Sequence, residues 1–431
     1  MAREMKDSGI EWIGEIPSKW SISKNKYLLE EMYSGGTPTA SNEEFYAENG
    51  TPFVSISDMS STDYIRYTKK KLTEKGVKDK NLIILPVGTV LYSIYATIGA
   101  VSELMLPATI SQAILALRIK PSYDKQYYKY NLNAMRDYVF FNANGNTQFN
   151  LNSEKVWNYY FVQPPLIEQK RIVHYLDDEC KRIDTVVEQT RSSIEEYKRL
   201  KQSTITQTVT KGIRPNREMK DSGIEWVGEI PAEWNVQRIK TIFSLRDERN
   251  YLPLEEVNLI SLYTDKGVVQ HSDLEKTTGN KASNADGYKI VCENDIIVNI
   301  ILCWMGAIGR SSYQGVTSPA YDIYVPSNTI ECRFYHHYFR TKGFSGDCYK
   351  RGKGIMAMRW RTYSDQFRDI KVVVPPLKEQ QEILNYLDEK TAAIDSLIQK
   401  KEQLITELEA YKKSLIYEYV TGKKEAPAHA H

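Results

Sequence analysis

Cysteine is scarce here. Five in 431 residues, an odd number with no CxxC pair, exclude a disulfide-stapled scaffold and predict reduced thiols packed as small hydrophobes. Histidine is nearly as rare, at six, and none falls in an HExxH pattern or a triad-like arrangement. Cys332, His336, His337 and Cys348 are the one cluster of ligand-type residues. They lack paired chelating spacing and fall on an aromatic-rich segment, RFYHHYF, so no metal is expected. Long apolar runs are missing too. The most hydrophobic, Ile296 to Ile308, is broken by Asn299 and falls short of the ~20 residues that span a bilayer. The charged start, Met1 to Asp7, has no apolar core for a signal peptide, so a cytoplasmic protein without a membrane partner is expected. Neither sign of charge dominates. A formal net charge of +2 argues against a basic tail that coats nucleic acid, while leaving room for local basic faces.

Catalytic signatures are absent as well. There is no GxxxxGK[ST] loop, and Gly145-Asn146 and Gly352-Lys353-Gly354 are short glycine punctuations rather than a dinucleotide fingerprint. The pairs in Gln163-Pro164-Pro165-Leu166 and Val374-Pro375-Pro376-Leu377 do not match the Asn/Asp-Pro-Pro-aromatic motif of amino-group methyltransferases. No catalytic residues and no cofactor of its own are expected. The chain reads as a binder.

What the sequence does have is a long internal repeat. EMKDSGIEWIGEIPSKW, Glu4 to Trp20, returns as EMKDSGIEWVGEIPAEW, Glu218 to Trp234, at an offset of 214. PPLIEQKRIVHYLDDECKRID from Pro164 returns as PPLKEQQEILNYLDEKTAAID from Pro375, at an offset of 211. Inside the halves, Gly99-Ala100 and Gly306-Ala307 correspond at an offset of 207, so the intervening loops differ in length. Elsewhere the two interiors have diverged, which suggests two modules built alike that read different things.

Each half opens with a turn-rich strap whose tryptophans pack on the domain behind it. Short strands follow, predicted at 52–57, 82–85, 89–95 and 114–119, with a Tyr-rich helix over 125–140. The 30 tyrosines suit recognition surfaces and also fill β-rich cores. Each half closes on Pro-Pro-Leu-x-Glu-Gln, a helix start in which proline tolerates the first turn and Glu complements the dipole. Apolar residues then recur at steps of three and four, from Val173, Leu176 and Cys180 to Tyr197, and from Leu384 and Leu387 to Leu408. Neither helix can bury this stripe alone, so antiparallel pairing is expected. Leu397, Leu404, Tyr411 and Ile416 widen the second stripe and are candidates for docking a partner.

The opening SGIEWIGEIPSKW, Ser34-Gly35-Gly36-Thr37-Pro38, Pro52 to Asp58, Thr97-Ile98-Gly99, Asn146-Thr147-Gln148 and PPLxEQ before a long helix occur in order along the whole chain. In these features the chain resembles the specificity subunit of type I restriction–modification systems. The resemblance implies an α+β fold with internal pseudo-twofold duplication. It comprises a target-recognition domain at 1–163, a spacer helix at 164–212, a second domain at 213–374, a second helix at 375–422, and a disordered tail at 423–431. It also implies that each domain reads half of a bipartite duplex DNA target, while the helices set the gap. Two methyltransferase subunits would dock, bringing S-adenosylmethionine, and a restriction/translocase subunit would join them. The second half lacks the Gly-Gly-Thr-Pro turn and carries Ile355-Met356-Ala357-Met358 in place of Asn146-Thr147-Gln148.

Candidate DNA contacts follow from residue chemistry. Cations neutralise phosphates, while amides and guanidinium groups make paired bonds to base edges. In the first half these are Lys69, Lys70 and Lys71, the turn at Gly36 and Thr37, and the amides Asn146 and Gln148. In the second they are Lys350, Arg351, Lys353, Arg359 and Arg361. Solvated basic loops and structural turns are the plain alternatives. Two rival functions stay open at this stage: a free-standing bivalent DNA-binding regulator, and a coiled-coil scaffold joining two protein-binding domains.

Overall fold

The structure is a computed structural model that describes residues 3–59, 62–143, 151–271, 284–354 and 360–427. The chain divides into two compact units. One is Met1–Thr190 with Gln403–His431, and the other is Arg191–Glu402. Each unit therefore takes one strand-rich domain, the first part of one long helix and the last part of the other.

In the first unit the strap is a hairpin, Met5–Asp7 against Glu15–Pro17. A five-stranded sheet follows in the spatial order Leu29–Ser34, Ile114–Ile119, Val90–Ser93, Val101–Leu104, Tyr64–Ile65. It is antiparallel apart from the final pair. A smaller sheet orders Thr109–Ile110, Tyr46–Val54 and Lys70–Leu72. The expected Tyr-rich helix forms as two, Lys125–Ala134 and Arg136–Ala143, with a break at Met135. Tyr127 and Tyr128 on it are buried, and Tyr128 stacks on Phe161 with ring centroids 4.8 Å apart. These tyrosines fill a core rather than a recognition surface.

The second unit repeats the plan with different strands. Its hairpin is Met219–Asp221 with Glu229–Pro231. Its main sheet is antiparallel, ordered Phe243–Arg246, Tyr321–Pro326, Ile296–Asn299, Ile308–Arg310. Helices Cys332–Phe339 and Lys342–Arg351 supply Phe334, Tyr335, Tyr338, Phe339 and Phe344 to a core closed by Trp234.

In each unit the last strand of the domain, Tyr160–Gln163 or Lys371–Val374, pairs with the strand after the strap and runs through two prolines into a long helix. These helices are Leu166–Lys211 and Leu377–Val420. The predicted seam is inward-facing. Leu176, Cys180, Ile183 and Val187 are buried in the first unit, and Ile194, Leu384, Leu387 and Ile394 in the second. The helices run antiparallel within each unit. In the first, Tyr175 meets Tyr419 at 4.6 Å between rings and Asp184 pairs with Lys412 at 2.6 Å. In the second, Lys201 pairs with Asp395 at 2.6 Å. Among the described residues no helix is long and apolar enough to cross a membrane.

Part of the segment expected to be a disordered tail is held in place. Lys423 donates to the carbonyl of Ile13 at 2.6 Å, and Ala426 is buried in the first core. Gly422, with φ +76°, turns the chain back onto Pro17 and Trp20 of the strap. Residues 428–431 lie outside the described residues.

Candidate nucleic-acid interface

The repeated residues build a frame, and the frame is the same in both units. The indole N–H of Trp20 donates to Glu168 Oε2 at 2.8 Å, and that of Trp234 donates to Glu379 Oε2 at 2.9 Å. Arg3 and Arg217 from the two straps pair with the same two carboxylates. The neighbouring glutamine bonds twice. Gln169 Nε2 donates to Pro164 O at 2.8 Å while its Oε1 accepts from Asp124 N at 2.7 Å. Gln380 does the same with Pro375 O and Glu331 N, at the same two distances. Asp124 and Glu331 are the N-caps of the helices that carry each domain's aromatic core. One Glu-Gln dipeptide thus locks strap, domain and long helix together, and the loops are presented from this shared mount.

On the first mount, the lysine cluster sits at one edge of the small sheet. Lys69 and Lys70 are exposed and Lys71 is half-buried, with Lys70 Nζ 5.5 Å over the Tyr46 ring. The Gly-Gly-Thr-Pro turn lies against the opposite edge. Gly36 N donates to Ile110 O at 3.1 Å, and Thr37 Oγ1 accepts from Gln112 N at 3.4 Å. Gly35 packs directly on the carbonyls of Ile110 and Ser111, where any side chain would collide. The turn is therefore spent inside the domain, so Gly36 has no free amide to offer a phosphate. Asn146 and Gln148 lie outside the described residues.

On the second mount, Lys350, Arg351, Lys353 and Arg361 gather on two short limbs, 349–354 and 360–362. Lys350 is paired with Glu225, which raises its pKa above the usual lysine value and occupies its charge. Arg351 is exposed in the last turn of its helix. Lys353 and Arg361 face each other across a backbone bridge, and both are exposed. Arg359 lies outside the described residues. The nearby ligand-type residues are engaged in structure. Cys332 Sγ donates to Asn294 O at 2.7 Å, and His336 Nδ1 accepts from Arg310 N at 3.1 Å. Burial, reinforced by neighbouring cations, pushes the His336 pKa down to about 3. Burial likewise lowers that of His337 to about 4.

The docking candidates divide. Leu397, Leu404 and Tyr411 are between 41% and 52% exposed, off the seam. Ile416 is 7% exposed and belongs to the first core, where its side chain cannot meet a partner. Two residues were missed. Val186 and Leu200 on the first long helix are also 42% and 51% exposed. At the offset of 211 they correspond to Leu397 and Tyr411, so the repeat itself held the signal.

The family model described as "Type I restriction modification DNA specificity domain" matches twice, at residues 17–196 and 231–407. A type I restriction enzyme specificity subunit, MjaVIII of Methanocaldococcus jannaschii, is 21% identical over 95% of this chain and 93% of its own length. The MjaIX specificity subunit of the same organism is 28% identical, over 38% of this chain and 40% of that subunit. Among solved structures, an HsdS subunit from Thermoanaerobacter tengcongensis matches with TM-score 0.53 at 14% identity, over 95% of this chain and 98% of that one. A chain from a structure described as the "type I R-M system" in complex assembly and conformational transition matches with TM-score 0.67, also at 14% identity, over 95% and 99%.

Proposed function

The chain belongs to the type I restriction–modification DNA specificity family, and we propose that each of its units reads one half of a bipartite, asymmetric duplex DNA target. The observation that carries this is the pairing of identical mounts with different surfaces. Trp20, Glu168 and Gln169 are matched bond for bond by Trp234, Glu379 and Gln380. What each mount presents differs, with lysines on a small sheet in one unit and an Arg- and aromatic-bearing pair of limbs in the other. Two readers of one sequence would have no need to diverge.

The long antiparallel helices act as the spacer that fixes the separation of the half-sites. Their exposed apolar positions, present at equivalent places on both helices, suit two copies of one partner. In this reading the partners are adenine methyltransferase subunits, which bind S-adenosylmethionine and perform the chemistry, joined by a restriction/translocase subunit. The chain itself is the non-catalytic address, working in the cytoplasm where the DNA is. Salt dependence tests the DNA arm. Affinity of the assembled complex for duplex DNA should fall steeply and linearly on a log–log plot against salt, because phosphate contacts release counterions. Binding that ignores salt would instead favour a protein scaffold.

A further inference from the structure

In the second unit, Tyr349 lies near the end of the helix Lys342–Arg351, and the chain returns past it at Trp360 and Arg361. Two backbone hydrogen bonds tie these limbs, Lys353 N to Arg361 O at 2.9 Å and Arg361 N to Lys353 O at 3.0 Å. Trp360 stacks on Tyr349, with ring centroids 5.0 Å apart and planes at 21°, and donates its indole N–H to the Tyr349 carbonyl at 3.1 Å. Trp304 packs on the same tyrosine, 5.6 Å between centroids. The next residue, Thr362, is fully buried. Its amide donates to Ile300 O and its hydroxyl to Cys348 O, each at 2.9 Å. The backbone of Arg361 is therefore fixed on both sides, while its side chain is exposed.

Two of the neighbouring cations are engaged within the protein. Lys350 pairs with Glu225. Arg340 bonds to the carbonyls of Thr264, Asp265 and Ile308 at 2.9–3.1 Å. Arg351 sits where a cation complements the negative end of a helix dipole. Among the described residues, Arg361 has neither a carboxylate partner nor a helix end to serve. A rigid backbone under an exposed guanidinium, next in sequence to the Trp360–Tyr349 stack, is costly to build for a solvated surface. The first unit's sequence has Asn142-Ala143-Asn144 where the second has Tyr349-Lys350-Arg351, so this surface is particular to one unit.

We propose that Arg361 is the base-reading residue of the second unit, and that it takes a guanine of that unit's half-site. A guanidinium fork donates two parallel bonds to guanine O6 and N7, a geometry that only a pre-positioned Arg can exploit fully. Lys353, its backbone partner across the bridge, is placed for a flanking phosphate. The assignment rests on reading the chain as a DNA specificity subunit.

The test compares R361A, R361K and K353A, each purified with its methyltransferase partner, by mapping methylated adenines and by DNA binding at several salt concentrations. R361A relaxes one guanine position of one half-site, losing about ten- to hundredfold discrimination there, and leaves the other half-site intact. R361K keeps the charge without the fork and relaxes the same position, which covers any failure of R361A to assemble. K353A keeps the motif but lowers the salt slope by about one. A wild-type bipartite motif that both Arg361 variants leave unchanged, or relax in both halves alike, overturns this assignment alone. A wild-type complex that methylates no bipartite motif removes the specificity reading and this assignment with it.

Discussion

Glu168 and Glu379 each hold an indole, a guanidinium and the start of a long helix, but their burial differs. The Glu379 side chain is 3% exposed with Arg217 at 10%, whereas Glu168 is 12% exposed with Arg3 at 26%. Truncating either glutamate strips a buried indole N–H of its acceptor, which costs about 1–3 kcal/mol, while Arg217 keeps Glu233 as a second carboxylate. E379A is therefore expected to destabilise the second unit by about that much, and E168A the first unit by less, as measured by urea unfolding of the two variants. Equal and small losses would mean the carboxylates are merely decorating the surface. None of these contacts could be read locally, since Trp20 and Glu168 are 148 residues apart. Only their joint survival in both copies pointed to them.

The half-buried histidines give the second unit a pH dependence with a definite sign. His336 and His337 have folded values near 3 and 4, below the ordinary 6.5, with burial the first cause in each case. The unfolded chain takes up protons below about pH 6.5 and the folded chain does not. Stability is therefore full above pH 6.5 and falls as pH drops toward those folded values, by up to about 1.4 kcal/mol per pH unit per histidine. H336N keeps an acceptor for Arg310 N but cannot be protonated. It should flatten the unfolding free energy between pH 7 and 5, and a slope unchanged from wild type would refute the assignment.

Among the elements, the long helices were the most legible, because a seam at steps of three and four needs no tertiary information. Strand 114–119 was legible for a similar reason, being an apolar run interrupted only by Arg118 that ends before Pro121. The apolar run at 82–85 misled. Only Leu85 pairs, with Ala108, while Ile83 and Ile84 are exposed, since the positive φ of Asn81 and the following Pro86 leave little room for a ladder. The exposed apolar stripe was half legible. Leu397, Leu404 and Tyr411 stood out by hydrophobicity, but Ile416 sits in a core that only the antiparallel partner and the first domain complete. Replacing Leu397 and Tyr411 by Lys should leave helicity by circular dichroism unchanged and lower the methyltransferase retained in pull-down several-fold. Full retention would move the docking surface elsewhere.

At the scale of the whole molecule, duplication constrains function more than any single motif does. A frame kept bond for bond under two divergent surfaces has use for two related but different targets. The sequence could not reveal that each compact unit borrows the last part of the other half's helix. That arrangement depends on contacts such as Lys423 with Ile13, which span 410 residues. The most direct measurement is genome-wide mapping of methylated adenines in cells expressing the methyltransferase with and without this chain. The account predicts a two-part asymmetric motif with a fixed gap that appears only when the chain is present. A motif that persists without the chain, or a stable methyltransferase complex that marks no two-part motif, would contradict it.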